Sequence, residues 1–271
     1  KQIVVQKVRE CEKRNIFNKF KEIENSIVSA NVRKTDEKGN LYVDINGLEA
    51  IVPAKELSPV DIFRQGDRIK IYIGAVEEST KFTKTFVSRK SEELLRGLLE
   101  LEVPEIYEEI IEIRNIAREA GSRSKVAVYS NDENLDVKGA CIGRNGMRIQ
   151  NIIDELCGEK IDIVLWNEDI TEFVKNALNP AEVLSVEIIE EGEENMKVAR
   201  VLVAENQLSL AIGKKGQNSR LAARLCGVKI DIHTEPAEID EFEEYEEDKA
   251  FNDSFEDEVE ESAFAGLHEE D

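Results

Sequence analysis

Four glycines stand in one repeated pattern: Gly143 with Gly146, and Gly213 with Gly216, each pair preceded by an Ile and followed by apolar residues at helical spacing. Glycine has no Cβ, so a backbone built this way can pass close to a ligand. The N–H groups that open the following helix have no intrahelical acceptor and sit at its positive end. A glycine turn leading into a helix therefore suits an anion such as a phosphodiester. The residues between the glycines agree, being Arg144 and Asn145 in one stretch and Lys214 and Lys215 in the other. Arg148, Arg220 and Arg224 follow closely. Together with the four glycines these residues form the candidate site, reading backbone phosphate rather than a particular base.

A lone Gly-x-x-Gly is a weak pattern and is commonly no more than a turn between packed helices. Here it lies inside a longer repeat. Residues 140–163 read ACIGRNGMRIQNIIDELCGEKIDI, and residues 210–232 read LAIGKKGQNSRLAARLCGVKIDI. That order predicts helix, tight turn, helix, strand, twice over. It resembles the KH domain, whose Gly-x-x-Gly loop clamps single-stranded nucleic acid while an apolar groove receives bases. Ile142, Ile149, Ile152, Ile212 and Leu221 are the groove candidates, with core packing the expected role of most.

A net charge of −22 over 271 residues argues against a polyanion ligand until it is divided along the chain. Residues 234–271 hold eighteen Asp and Glu against one Lys, so seventeen of those charges lie there and five remain for the rest. Lys and Arg near the glycine loops can then make the local potential favourable to phosphate. Cys11, Cys141, Cys157 and Cys226 show no C-x-x-C pair, so neither a zinc site nor a disulfide framework is indicated, and a reduced cytoplasm fits. Cys157 and Cys226 hold equivalent repeat positions, where a small buried residue is expected. No apolar run reaches membrane-spanning length, and no metal or cofactor is expected.

The elements around the loops follow from patterning. Residues 1–22 predict an amphipathic connector helix. Residues 23–90 predict five short strands, IVSANVRK, LYVDI, EAIVP, RIKIYIGAVEE and KTFVSR, separated by turn residues including Asn46-Gly47. Five strands in so short a span suggest an OB-type barrel. Tyr42, Phe63, Tyr72, Phe82 and Phe86 are candidate stacking residues beside Arg33, Lys34, Lys81 and Lys84, though most aromatics of a small barrel are core. A helix follows from Ser91, and 102–106 opens a new unit. In the first KH-like domain a strand at 125–130 precedes the helices and another at 159–165 closes the sheet. The second has a helix at 170–178 ended by Asn179-Pro180, then strands at 183–189 and 197–203. The predicted fold is thus multidomain α+β: connector 1–22, OB-type barrel 23–90, KH domains of the type II order at 91–167 and 168–234, and a disordered acidic tail at 235–271.

A barrel followed by two KH-like repeats is similar to the NusA family of bacterial transcription elongation, termination and antitermination factors. The stretches LELEVPEI, IEIRNIAREAGSRSKVAVYSND, GACIGRNGMRIQNIIDELCGEKIDIV and QLSLAIGKKGQNSRLAARLCGVKIDI carry that likeness over residues 1–234. The resemblance implies an S1-type barrel and one extended RNA-binding surface. It also implies an N-terminal polymerase-binding domain before Lys1, with residues 1–24 as the end of the helix leaving it. The implied partners are nascent single-stranded RNA, RNA polymerase and other elongation or antitermination factors. The chain is expected to act as a monomer in the cytoplasm.

Two other classes compete. Barrel and KH modules accompany exoribonucleases, but with only His233 and His268, no acid and base pair stands out and no enzyme activity is expected. Gly213-Lys214-Lys215-Gly216 lacks the spacing of a nucleotide-binding P-loop. An RNA-binding accessory protein of ribosome assembly or RNA degradation is the alternative.

Overall fold

The computed structural model describes residues 2–78, 83–191 and 196–234. The acidic tail, Lys81 and Phe82 lie outside the described residues.

The first helix, α1 (Gln2–Glu22), packs only at its end. Phe20 is buried in the barrel core with Phe17 and Ile23 against it, while Ile3, Val4, Val5 and Val8 stay exposed. The barrel strands are β1 (Ser26–Thr35), β2 (Leu41–Ile45), β3 (Leu48–Val52), β4 (Arg68–Glu78) and β5 (Thr83–Ser88), close to the five predicted. Alternation sends Leu41, Val43 and Ile45 of β2 and Ile69, Ile71 and Ile73 of β4 inward. Asn46 and Gly47, both at positive φ, form the two-residue hairpin between β2 and β3. The order is β3-β2-β1-β4-β5, every pair antiparallel. The edge strands β3 and β5 lie against each other without a shared ladder, so the barrel is nearly closed.

The next unit begins with α2 (Glu92–Glu102), capped by the Ser91 side chain, and a short helix α3 (Pro104–Tyr107). Leu94, Leu95, Leu98 and Leu99 share one core with Val103 and Ile106, so the turn at 102–106 is interior to this unit rather than its start. Two strands follow where the sequence predicts one: β6 (Glu112–Glu119) and β7 (Arg123–Tyr129). The reason β6 escaped is a register shift between Ile113 and Asn115, followed by burial of three successive residues, Ile116 to Arg118. Ile116 joins the helical core of this domain while Ala117 joins the core of the next, so the period of two is lost. After α4 (Val137–Ile142) and α5 (Met147–Glu155), strand β8 (Lys160–Leu165) pairs parallel to β7, the helices making the crossover that parallel pairing requires.

The same plan repeats. α6 (Ile170–Leu178) precedes β9 (Val183–Glu191) and β10 (Met196–Val203); α7 (Glu205–Ile212) and α8 (Gln217–Cys226) cross over to β11 (Lys229–Thr234), parallel to β10. The two copies are packed together. Ala117, Ala127 and Val164 of the first sheet lie in one apolar cluster with Phe173, Val174, Leu221 and Leu225 of the second copy. Asn115 Nδ2 donates to the Leu225 carbonyl at 2.6 Å, and the buried Lys125 ammonium donates to the Asn179 carbonyl at 3.1 Å.

The barrel is fixed to the first copy by Arg89, which is 1% exposed. Its guanidinium meets Asp61 at 3.0 Å and Glu155 at 3.3 Å, donates to the carbonyls of Lys70 and Glu155, and stacks on Phe63. A charge so buried persists only with partners, and here they come from both sides of the joint.

Candidate nucleic-acid interface

The two glycine loops have one backbone. Gly143 sits at φ 77, ψ 171 and Gly213 at φ 76, ψ 174; Asn145 and Lys215 both lie at φ 54; Gly146 and Gly216 are left-handed at φ 73 and φ 70. The same bonds close them, Gly146 N–H donating to the Gly143 carbonyl at 3.0 Å and Gly216 N–H to the Gly213 carbonyl at 3.2 Å. The first glycine of each pair is required for space as well as for φ. A Cβ on Gly143 would lie 2.6 Å from Arg148 Cγ, and one on Gly213 would lie 2.9 Å from the Asn218 backbone nitrogen.

The helices that leave these loops begin without a side-chain cap. α2, α4 and α6 each have a side chain, from Ser91, Asp136 or Asp169, accepting a first-turn N–H. α5 and α8 start from glycine instead; the first N–H of each, Met147 or Gln217, donates to the loop carbonyl of Arg144 or Lys214, and the positive helix end faces the loop. α7 also lacks a cap, but its first turn carries Glu205.

Arg144, Asn145, Lys214 and Lys215 are exposed at the loop tips, and Arg224 is exposed on α8. Arg148 and Arg220 are placed differently, each committed to protein partners. Arg148 bonds Glu105 at 2.9 Å and the Ala140 carbonyl at 2.6 Å. Its repeat equivalent is Asn218, which is 2% exposed and donates to the carbonyls of Leu178, Leu210 and Ala211. Both side chains thus serve carbonyls at the end of the preceding helix, which have no intrahelical donor. Arg220 bonds Glu119 of the first copy at 2.8 Å and the Lys215 carbonyl at 3.1 Å. Burial alone would raise the Glu119 carboxyl, but the bonds from Arg220 and Gln217 outweigh it and hold the group below its ordinary range.

Of the groove candidates, Ile152 and Leu221 are buried core, Ile149 is partly buried, and Ile142 and Ile212 are exposed beside their loops. Met147 and Leu210, which sequence reasoning missed, are also exposed there. Glu119, Gln217 and Asn218 were missed as well. Only Asn218 carried a signal, its register with Arg148; the others depend on contacts between copies.

On the barrel, Lys34 Nζ lies 4.8 Å from the Tyr42 ring centre, with Ile51 exposed opposite Tyr42 on β3. Phe86 is exposed beside a cavity of about 410 Å³ that Lys55, Lys84, Pro53 and Ala75 help to line. Phe63 is taken by Arg89, and Tyr72 donates to Asn25 and packs on the α2 core. Arg33 pairs with Asp44 at 3.2 Å and Lys84 with Glu77 at 3.9 Å.

The cysteine expectation is corrected in part. Cys226 ends α8, packs on the shared core and has its thiol pushed up to about 12 by burial. Cys157 falls beyond the end of α5, at φ 56, and is exposed. Among the described residues, no three His, Cys, Asp or Glu side chains are grouped to hold a metal, and no helix is long and apolar enough to cross a membrane.

Comparison with known proteins matches each part. The S1 RNA binding domain family matches residues 21–83, the NusA-like first KH domain residues 89–166, and the NusA-like second KH domain residues 170–240. The transcription termination/antitermination protein NusA of Halalkalibacterium halodurans is 48% identical over 235 residues, covering 87% of this chain and 60% of that protein. That of Bacillus subtilis is 48% identical, with 87% and 62% covered. That of Mycobacterium bovis is 42% identical over 240 residues, with 86% and 68% covered. The chain spans about 60% of the length of the first two relatives.

Proposed function

The chain belongs to the NusA family, and from that premise we propose that it holds nascent single-stranded RNA and so modulates pausing, termination and antitermination by RNA polymerase. The work divides among the barrel at 23–90 and the KH domains at 91–167 and 168–234. RNA polymerase and other elongation and antitermination factors are its partners in the same assembly. The protein acts by binding and not by covalent chemistry, as a cytoplasmic monomer.

One observation carries the reading: two superposable glycine loops, each tipped with exposed polar or cationic residues and each opening an uncapped helix. A phosphate at each loop would meet the positive end of the following helix, and at least one exposed cation, Arg144 or the Lys214 and Lys215 pair. Because the two copies share a core, the loops are held in fixed register and can follow one strand. The exposed Ile142 and Met147, with Leu210 and Ile212, offer apolar surface beside the phosphate sites for bases. On the barrel, Tyr42 with Lys34 and Phe86 with Lys55 supply further stacking and charge.

Titration of labelled single-stranded RNA at several salt concentrations tests this. Affinity should fall steeply with salt, because phosphate contacts release counterions. Replacing Arg144, Asn145, Lys214 and Lys215 together by Asp should abolish most binding and flatten the slope. Wild-type affinity in that variant, still folded, would make the loops plain turns. The alternative, an accessory role in ribosome assembly or RNA degradation, would be favoured if the full-length protein co-purified with ribosomal subunits and not with polymerase.

A further inference from the structure

The second glycine loop is tied to the first KH domain by contacts that the proposed clamp does not itself use. Glu119, the last residue of β6, reaches across to α8. Its Oε1 accepts from Arg220 Nε at 2.8 Å, and its Oε2 accepts from Gln217 Nε2 at 2.6 Å. Gln217 Nε2 also donates to Ser122 Oγ at 2.7 Å, so the first turn of α8 is gripped by both ends of the β6–β7 turn. With its Nε held there, Arg220 directs Nη1 to the Lys215 carbonyl at 3.1 Å.

Lys215 is the loop residue at φ 54. A lysine has no short polar side chain to stabilise the left-handed region, so its conformation is maintained by what surrounds it. The first loop differs on both counts. Asn145 holds the same position and tolerates that region by itself. The equivalent of Arg220 is Gln150, which donates to Asp154 on its own helix at 2.7 Å. Only the second loop, the more cationic, borrows its support from another domain.

We propose that Glu119 is a positioning residue for the second glycine loop, setting Lys214 and Lys215 through Arg220 so that the first KH domain controls how the second grips RNA. The proposal rests on the reading of the loops as phosphate clamps. Its sign is the opposite of simple electrostatics. Removing a carboxylate beside a phosphate site should strengthen binding if charge alone counts; removing this one should weaken it.

The test titrates labelled single-stranded RNA with the 271-residue chain and four variants: Glu119→Ala, Glu119→Gln, Lys214→Ala with Lys215→Ala, and that pair combined with Glu119→Ala. Glu119→Ala should lower affinity about fivefold, a usual size for coupling between sites. Glu119→Gln should recover most of the loss, because an amide oxygen still accepts from Arg220. In the background without the two lysines, Glu119→Ala should add nothing, since interacting positions are non-additive. Amide exchange in the RNA-free protein should rise over 213–216 and not over 143–146. Unchanged or increased affinity for Glu119→Ala, with the lysine pair still weakening binding, overturns the positioning role and leaves the clamp standing. A Glu119→Ala loss undiminished without the lysines overturns it as well, assigning the residue to general packing. Wild-type affinity in the lysine variant overturns the clamp, and this proposal with it. Exchange serves as the second readout if Glu119→Ala is too unstable to titrate, with Glu119→Gln in its place; exchange over 213–216 equal to wild type then counts against the proposal.

Discussion

The glycine loop of the first KH domain and that of the second follow one path, with Gly143 and Gly213 within a few degrees of each other in both dihedrals, yet they are braced by different chemistry. In the first, Arg148 spans from the Ala140 carbonyl to Glu105, both on elements of its own domain. In the second, the short Asn218 is buried and serves three carbonyls, and Arg220 reaches a carboxylate of the neighbouring domain. Conformation has been kept while residue type has changed, because the loop demands a donor for the preceding helix end and any side chain of suitable reach provides it. Charge has diverged as well. The positions of Arg220 and Arg224 in the second copy are Gln150 and Asp154 in the first, so the second loop sits in the more positive surroundings.

That difference is most sharply exposed by RNA affinity. Lys214→Asp with Lys215→Asp should reduce binding about a hundredfold, and Arg144→Asp with Asn145→Asp about tenfold, with the greater loss of salt slope in the first variant. Equal losses from the two loops would break the asymmetry. Next comes the cost of a methyl group. Gly213→Ala presses on the Asn218 backbone and should cost about 3 kcal/mol, whereas Gly143→Ala presses on the movable Arg148 side chain and should cost about 1–2 kcal/mol. Chemical denaturation of both variants compares them, and a reversed order would show that Arg148 is the more rigid brace. Truncating the braces themselves should follow the same order. Asn218→Ala leaves buried carbonyls without a donor at about 2 kcal/mol, and Arg148→Ala, whose site water can reach, about 1 kcal/mol.

The equivalent strands offer a pH comparison. Asp162 on β8 is partly buried, which alone would raise its carboxyl, but the bonds from Arg123 and the charge of Lys125 prevail and lower it. A carboxyl depressed in the folded state stabilises above its unfolded pKa, and that stability is lost as pH falls through the folded value. Asp162→Asn should therefore cost stability at neutral pH and little in strong acid. Asp231 on β11, exposed beside His233, should show almost no cost at either pH. Unfolding curves at both pH values decide it, and a pH-independent Asp162→Asn cost would remove charge from the account. The smallest difference concerns thiols. Cys157 should react with a maleimide at neutral pH well before Cys226, which is folded into the shared core, and equal rates would mean that the end of α8 opens as readily as the loop after α5.

Much of this was legible in the residue order. Five barrel strands, the helix at 170–178 and both glycine loops follow from period, turn residues and repetition, all of which are local. Strand β6 was illegible because its register shifts between Ile113 and Asn115 and three successive residues, Ile116 to Arg118, are then buried, so no alternation shows. Of the site, the loop tips were readable and their supports were not. Arg148 and Arg220 were readable as cations near the loops, but their partners were not, because each bonds a carboxylate distant in sequence, Glu105 or Glu119. The aromatics of the barrel divided in the same way. Phe63 and Tyr72 were claimed by the joint with the first KH domain, while Tyr42 lies half-buried under Lys34 and Phe86 is exposed.

The sequence by itself therefore determined the units: where glycine lets the chain turn, which residues face a core, and where positive charge meets a helix start. These are properties of neighbours a few positions apart. Tertiary structure alone decided which cations remain available, because that depends on acceptors brought from elsewhere in the chain. Glu119 reaches Arg220 across a span of 101 residues, and Glu155 reaches Arg89 across 66. No periodicity encodes such pairs; only packing one domain against another brings a donor and its acceptor to bonding distance.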